Sequence, residues 1–258
     1  MLPDRPALPA GVPVVRRDDH HLQVGIDPPR CAVLPDEPDV RRVVEDLRAG
    51  RRPAPATTTG HRALERLVAA GLVDDLDEVE RRAAARAEVR VGLDVPGDLV
   101  RACTERLGTA GLAVADRDHP ASVLLVVRDG PVPRRLLDRC AREGLPHLLV
   151  GAEPGAMTLG PFVEPGRTAC ARCVDAHLAL VDPRRPLLLE QARVLVPRDP
   201  ALHPLALAWA VADLVAWAEG RAPSTRSATL RLDADLRARR TPWSRHPACG
   251  CAWDEVSA

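Results

Sequence analysis

Two short stretches concentrate the reactive side chains. "TACARC" places Cys170 and Cys173 two residues apart, and "HPACGC" places Cys249 and Cys251 around a single glycine. Such thiols can act as a redox pair, close as disulfides or hold a metal. Zinc favours a tetrahedral thiolate shell, and each tight pair can supply two ligands from one turn. Gly250 lets the second turn close, while Pro165 and Gly166 shape the approach to the first. A redox CxxC sits just after a strand, at a helix start, and needs no CxC partner. The expected site is therefore a structural Zn2+ held by Cys170, Cys173, Cys249 and Cys251, with no coordination position open for catalysis. His177 and His246 lie close enough in sequence to substitute as ligands. Cys31, Cys103 and Cys140 fall on apolar faces and read as small buried residues.

Other candidates are weaker. The first strand of the second half runs into "VGLDVPGDLV", where a nucleotide fold would want GxGxxG so that backbone amides reach phosphate. Asp94 would repel phosphate there, and Pro96 has no amide proton to give. No nucleotide is expected. "DRDH" at 116–119 could hold a metal or mark the acidic position after a second strand, but suits a solvated loop. "RRDDHH" at 16–21 reads as a hairpin turn. His20, His21, His61, His119, His147 and His203 have no defined partner in sequence.

Composition narrows the function. The 258 residues carry 36 basic and 36 acidic side chains, so nothing favours nucleic acid or a membrane surface as partner. The sequence contains no lysine, which excludes Walker-type, Schiff-base and kinase-type lysine chemistry. The N-terminus lacks a signal-peptide pattern, and the longest apolar stretch, 205–218, carries Asp213 and is short for a bilayer. A cytoplasmic protein is expected, and paired cysteines in a reducing compartment more often bind metal than form disulfides.

The elements that must position these residues fall into three segments. Residues 1–13 are proline-rich and read as an extended arm. Residues 13–75 hold three short strands, "VVRR", "HLQVGID" and "RCAVLP", and then two helices. Val40, Val43, Val44 and Leu47 recur at helical spacing, with Asp39 as a cap and Gly50 as a stop. Leu64, Leu67 and Val68 mark the second helix, and "RRPAPATTTG" between them reads as a loop or a poorly formed helix. This is a winged-helix-like pattern. Residues 76–88 are charged and alanine-rich, an exposed helical connector. Residues 89–258 alternate short apolar runs with helices, which implies βαβ units and a parallel sheet. In that segment "AMTLGPFVEPG" reads as a hairpin leading into the CxxC, and 203–220 as a long apolar helix.

"GPFVEPGRTACARC", the apolar helix, "SATLRLD" and "HPACGC" together resemble the ThiF-like partner proteins of YcaO cyclodehydratases. These serve in making thiazole- and oxazole-modified ribosomal peptides (TOMM, a class of RiPP). The N-terminal part is similar to the winged-helix RiPP recognition element of that family, although loop 51–59 is proline- and threonine-rich where a short helix is usual. The resemblance implies an α/β protein: a leader-binding element followed by a degenerate Rossmann-like, ThiF-like adenylyltransferase domain with a four-cysteine zinc site. It implies a non-catalytic subunit that binds the leader of a precursor peptide and presents it to a YcaO-type enzyme for azoline formation. ThiF-like folds often dimerise, so a homodimer is one implied assembly. By resemblance the leader adds as a strand between the third strand, 30–35, and the helix 61–70. Candidate contacts are Arg30, Cys31, Val33, Arg62, Glu65, Arg66 and Ala69. Two other readings stay open: an active ThiF-like adenylyltransferase, and a zinc-stabilised winged-helix DNA-binding regulator.

Overall fold

The computed structural model describes residues 2–130, 132–191 and 196–251. The chain divides into two compact units, 1–83 and 84–258. The boundary falls inside helix α3 (Leu76–Glu88), which buries none of its residues.

In the first unit, β2 (Val14–Arg16), β3 (His21–Val24) and β4 (Ala32–Pro35) form an antiparallel sheet in the order β2-β3-β4. Helices α1 (Pro38–Arg48) and α2 (Thr58–Ala69) follow. Val24, Leu34, Val40, Val43, Leu47, Leu67 and Leu72 form one core. The N-terminal arm is extended but not free. Its β1 (Pro6–Ala7) pairs with β5 (Asp74–Asp75), Ala7 is buried, and the Leu8 amide donates to the Leu47 carbonyl.

Asp39 does not cap α1. That helix starts at Glu37 with Pro38 in its first turn and no side-chain cap bond. The Asp39 carboxylate, itself buried, accepts hydrogen bonds from the Ala56 and Thr57 amides and from the Thr57 hydroxyl. Thr57 in turn caps α2 by accepting from the Gly60 amide. The segment 51–56 is therefore an irregular loop pinned by a buried carboxylate, which replaces a helix turn as the spacer between α1 and α2. Gly60 is needed there, because a Cβ would lie 2.2 Å from an Asp39 oxygen.

The second unit is built on a seven-stranded mixed sheet, order β12-β11-β10-β9-β8-β6-β7. Strands β6 (Arg90–Asp94), β7 (Ala113–Val114), β8 (Val123–Arg128) and β9 (His147–Glu153) run parallel. Strands β10 (Ala156–Val163), β11 (Ala228–Asp233) and β12 (Ala238–Pro242) continue antiparallel. "AMTLGPFV" is thus one strand rather than a hairpin; its turn lies earlier, between β9 and β10, because β10 has a partner on each side. Residues 123–127 of β8 are all buried, since the sheet is covered on both faces. Helices α4 (Val100–Thr109) and α8 (Leu202–Ala218) pack with Val91, Leu125, Val150 and Leu159 on one face. Helix α5 (Arg134–Arg142) packs with Leu124, Val126 and Leu149 on the other. Asp213 sits in the apolar α8 because its carboxylate accepts the Ser224 and Thr225 amides and the Thr225 hydroxyl. No helix of the described residues is long and apolar enough to cross a membrane.

Candidate functional site

The two cysteine arms meet at the end of β10. After Val163 the chain turns through Pro165 and Gly166. Buried Thr168 closes that turn: its hydroxyl accepts from the Glu164 amide, and its own amide donates back to the Glu164 carbonyl. Cys170 then stands at the N-cap of α6 (Ala171–Ala179), so Cys173 lies on the first helical turn. A helix start is also the position expected for a redox CxxC, so that criterion does not separate the alternatives. The convergence of all four sulfurs does.

Those sulfurs lie within 4.8 Å of one another. Cys170 is 3.8 Å from Cys173 and 3.6 Å from Cys249, and Cys173 is 3.3 Å from Cys251. A tetrahedron with metal–sulfur bonds of about 2.3 Å has edges of about 3.8 Å. A disulfide needs about 2.05 Å, and all seven cysteines are free. Four thiols this close cannot all ionise unaided. Burial and the neighbouring sulfurs push Cys170 up, and burial pushes Cys251 up to about 12. Burial acts on Cys173 in the same sense, but hydrogen bonds from the His246 and Cys170 backbone and from the other thiols outweigh it, and Cys173 is held low. A soft divalent cation among the sulfurs removes this conflict, because it stabilises every thiolate at once. The donor set and its spacing fit such an ion.

One residue holds both arms. The Ser227 hydroxyl accepts from the Ala169 amide, just before Cys170, and the Ser227 carbonyl accepts from the Trp243 amide, which leads to the second pair. The Trp243 indole donates to Thr229, and Arg245 donates to the Cys251 carbonyl at 2.6 Å. The two nearby histidines serve as packing. His177 Nε2 lies 3.0 Å from the Ser244 carbonyl, and its ring meets His246 edge-on at 4.8 Å. His246 Nδ1 accepts from the Ala248 amide. Among the described residues the metal-capable cluster contains the four cysteines and no histidine. Cys103 and Cys140 are buried, and burial pushes both thiols up, away from the reactive thiolate.

A second place in the fold is chemically relevant. In open α/β sheets ligands bind outside the carboxyl ends of the strands, where the strand order reverses. Here that point lies between β6 and β8. It is spanned by an ion pair: Arg128 donates to the Asp94 carboxylate at 2.5 Å and to the Asp94 carbonyl at 2.7 Å. Beside it, Arg198 bridges Asp129 at 2.6 Å and Asp98 at 2.5 Å. Asp116, after β7, is committed to a local turn, accepting from the Asp118 and His119 amides. The other charged motif, 16–21, is the β2–β3 turn, with Asp18 accepting from the His20 amide and contacting His21.

The leader-contact candidates lie around the open edge of β4. Arg62, Glu65, Arg66 and Ala69 are exposed on α2, which packs against β4, while Cys31 and Val33 are half-buried. Arg30 is already engaged, donating to the Gly71 carbonyl at 2.9 Å. The Asp36 amide donates to the His20 carbonyl, which sets the phase of the β3–β4 ladder. Leu34 and Ala32 therefore bond to β3, and Val33 and Cys31 turn their amides and carbonyls to the open side.

No protein-family model and no curated protein matches this chain. Solved structures do match in fold. The heterocyclase TruD superposes with a TM-score of 0.69 at 18% identity, over 97% of this chain and 43% of that one. A heterocyclase in complex with substrate and cofactor gives 0.69 at 15%, over 96% and 39%. The chain thus spans about two-fifths of the length of these heterocyclases. MccB of E. coli, with AMPCPP and MccA, gives 0.68 at 12%, over 95% and 99%. The mixed α/β fold with a large mixed sheet is the one shared with TruD and MccB.

Proposed function

We propose that the chain is a non-catalytic peptide-binding subunit. It captures the leader of a ribosomal precursor peptide and presents it to a separate YcaO-type cyclodehydratase. The observation that carries this reading is the open edge of β4 beside the exposed face of α2. Val33 and Cys31 offer a row of main-chain donors and acceptors, and Arg62 and Arg66, without ion-pair partners among the described residues, flank it. An extended peptide can add there as a fourth strand, with main-chain bonds giving affinity and side chains giving choice. The fold shared with TruD and MccB agrees with work on peptides.

Zinc held by Cys170, Cys173, Cys249 and Cys251 would act as a clip between α6 and the C-terminal arm. Its part is structural: it fixes the four thiolates as ligands. Ser227 orients the two arms, and Thr168 shapes the first.

The runner-up is an adenylyltransferase, favoured by the AMPCPP in an MccB structure of the same fold. The Asp94–Arg128 bridge argues against it here. The peptide reading is tested with the full chain and a fluorescein-labelled leader from the short Cys/Ser/Thr-rich peptide gene nearest its own. Saturable binding at or below tens of micromolar supports it, and its absence contradicts it.

A further inference from the structure

The cysteine centre is not sealed. A cleft of about 470 Å3 opens directly onto it, walled by Leu137, Ala141, Val163 and Pro165 and lined at its end by Cys170, Cys249 and Cys251. Cys170 and Cys251 are half-buried and in contact with this space, whereas Cys173 is fully buried and does not line it. A small uncharged reagent can therefore meet sulfurs of the centre without any opening of the fold.

We propose that this centre is an oxidation site for small hydroperoxides, and that it closes by cross-motif disulfides, Cys173–Cys251 and Cys170–Cys249. The cleft and the short Cys173–Cys251 separation favour this connectivity. Cys251 is reached through the cleft, and the Cys173 sulfur lies only 3.3 Å from its own. The Cys251 sulfur attacks the peroxide, giving up its proton or its metal as it does so; the O–O bond breaks, hydroxide (alkoxide from an alkyl hydroperoxide) leaves and a sulfenic acid forms. The Cys173 thiolate then attacks that sulfur, forming the S–S bond and expelling a second hydroxide. With Cys173 and Cys251 joined, Cys170 is left with Cys249, 3.6 Å away. Each pair gives two electrons to one peroxide, and the two hydroxides are protonated to water. Two peroxides oxidise four cysteines.

The connectivity has a mechanical consequence. Pairing within motifs would join Cys170 to Cys173 and Cys249 to Cys251, and would leave the two arms apart. Pairing across motifs ties the same two arms that a metal ties. Oxidation then expels the metal yet preserves the clip, and reduction in the presence of metal restores the starting state. Only the metal-release step rests on the zinc reading; the disulfide pattern does not.

The test treats the purified full chain with hydrogen peroxide. Released metal is followed with a chromogenic chelator, and disulfides are mapped without reduction. Trypsin cuts after Arg172 and so parts Cys170 from Cys173, and fragmentation across Gly250 parts Cys249 from Cys251. The expected result is loss of one metal per chain, the two cross-motif disulfides, and an unfolding temperature close to that of the untreated protein. Chain stripped by a chelator under reducing conditions is expected to unfold at a clearly lower temperature. Within-motif disulfides, sulfinic acid without disulfides, or full metal retention at millimolar peroxide would overturn the proposal. Cross-motif disulfides in a chain purified without metal would sustain it while removing the zinc reading. A Cys31→Ser, Cys103→Ser, Cys140→Ser triple variant must give the same pattern; if it does not, the centre is not the oxidised site.

Discussion

The cysteine centre and the carboxyl edge of the sheet are two places where this fold brings polar groups together, and they are built in opposite ways. At the cysteine centre four like groups converge, and nothing else within the described residues satisfies them all. At the edge, opposite charges converge and satisfy one another: Arg128 with Asp94, and Arg198 with Asp98 and Asp129. The first arrangement asks for an ion. The second is satisfied by its own side chains. Clustered titratable groups whose charges conflict call for a ligand more strongly than clusters whose charges cancel.

The largest expected effect comes from breaking the conflict. Cys170→Ser or Cys249→Ser should release bound metal and lower the unfolding temperature by about 10 °C, the shift made by roughly 3–4 kcal/mol in a unit of this size. Elemental analysis with calorimetry checks it, and a variant with full metal content and unchanged stability would refute the assignment. Next is the peptide edge. Val33→Pro removes an amide that β3 does not use, so the sheet should survive while leader affinity falls at least about tenfold. Fluorescence anisotropy beside circular dichroism separates the two readouts.

Ser227→Ala removes the hydroxyl that accepts from the Ala169 amide and so loosens the first cysteine arm without touching a ligand, while the Trp243 bond to the backbone carbonyl is kept. Metal affinity should fall about tenfold, as for other residues that orient metal ligands, measurable by competition with a chelator. Acid titration gives a further contrast. Hydrogen bonds from the Thr57 hydroxyl and amide hold the Asp39 carboxyl below its usual range. A depressed folded-state value means that the stabilisation is complete above the unfolded pKa of about 4 and is lost as pH falls through the folded value. The first unit should therefore weaken under acid, and Asp39→Asn should flatten that dependence, as read by far-ultraviolet circular dichroism.

Much of this was legible in the sequence because the signals are local. The CxxC and CxC spacings carry their own chemistry, and the missing glycine loop and Pro96 are visible in one turn. The alternating strands and helices of the second half, and the three strands and two helices of the first, follow from apolar periodicity. What escaped depends on chain segments that meet only after folding. Ser227 looks like any serine before a strand, and its role arises because β11 passes between the two cysteine arms. Asp39 sits where a helix cap is expected, yet loop 51–56 captures its carboxylate instead. Strand β12, "ARRTP", has no apolar alternation because it is the sheet's exposed edge, where arginine and proline are suited to blocking further pairing. Helix α6 was hidden because its N-terminus is the cysteine motif itself.

The most direct test of the contrast is ATP–pyrophosphate exchange by the purified full chain, with and without the precursor peptide. No exchange above background is expected in either case, because Asp94 and Arg128 span the crevice and no lysine exists to meet the phosphates. ATP-dependent exchange by the chain alone would contradict the account and make the protein an enzyme in its own right.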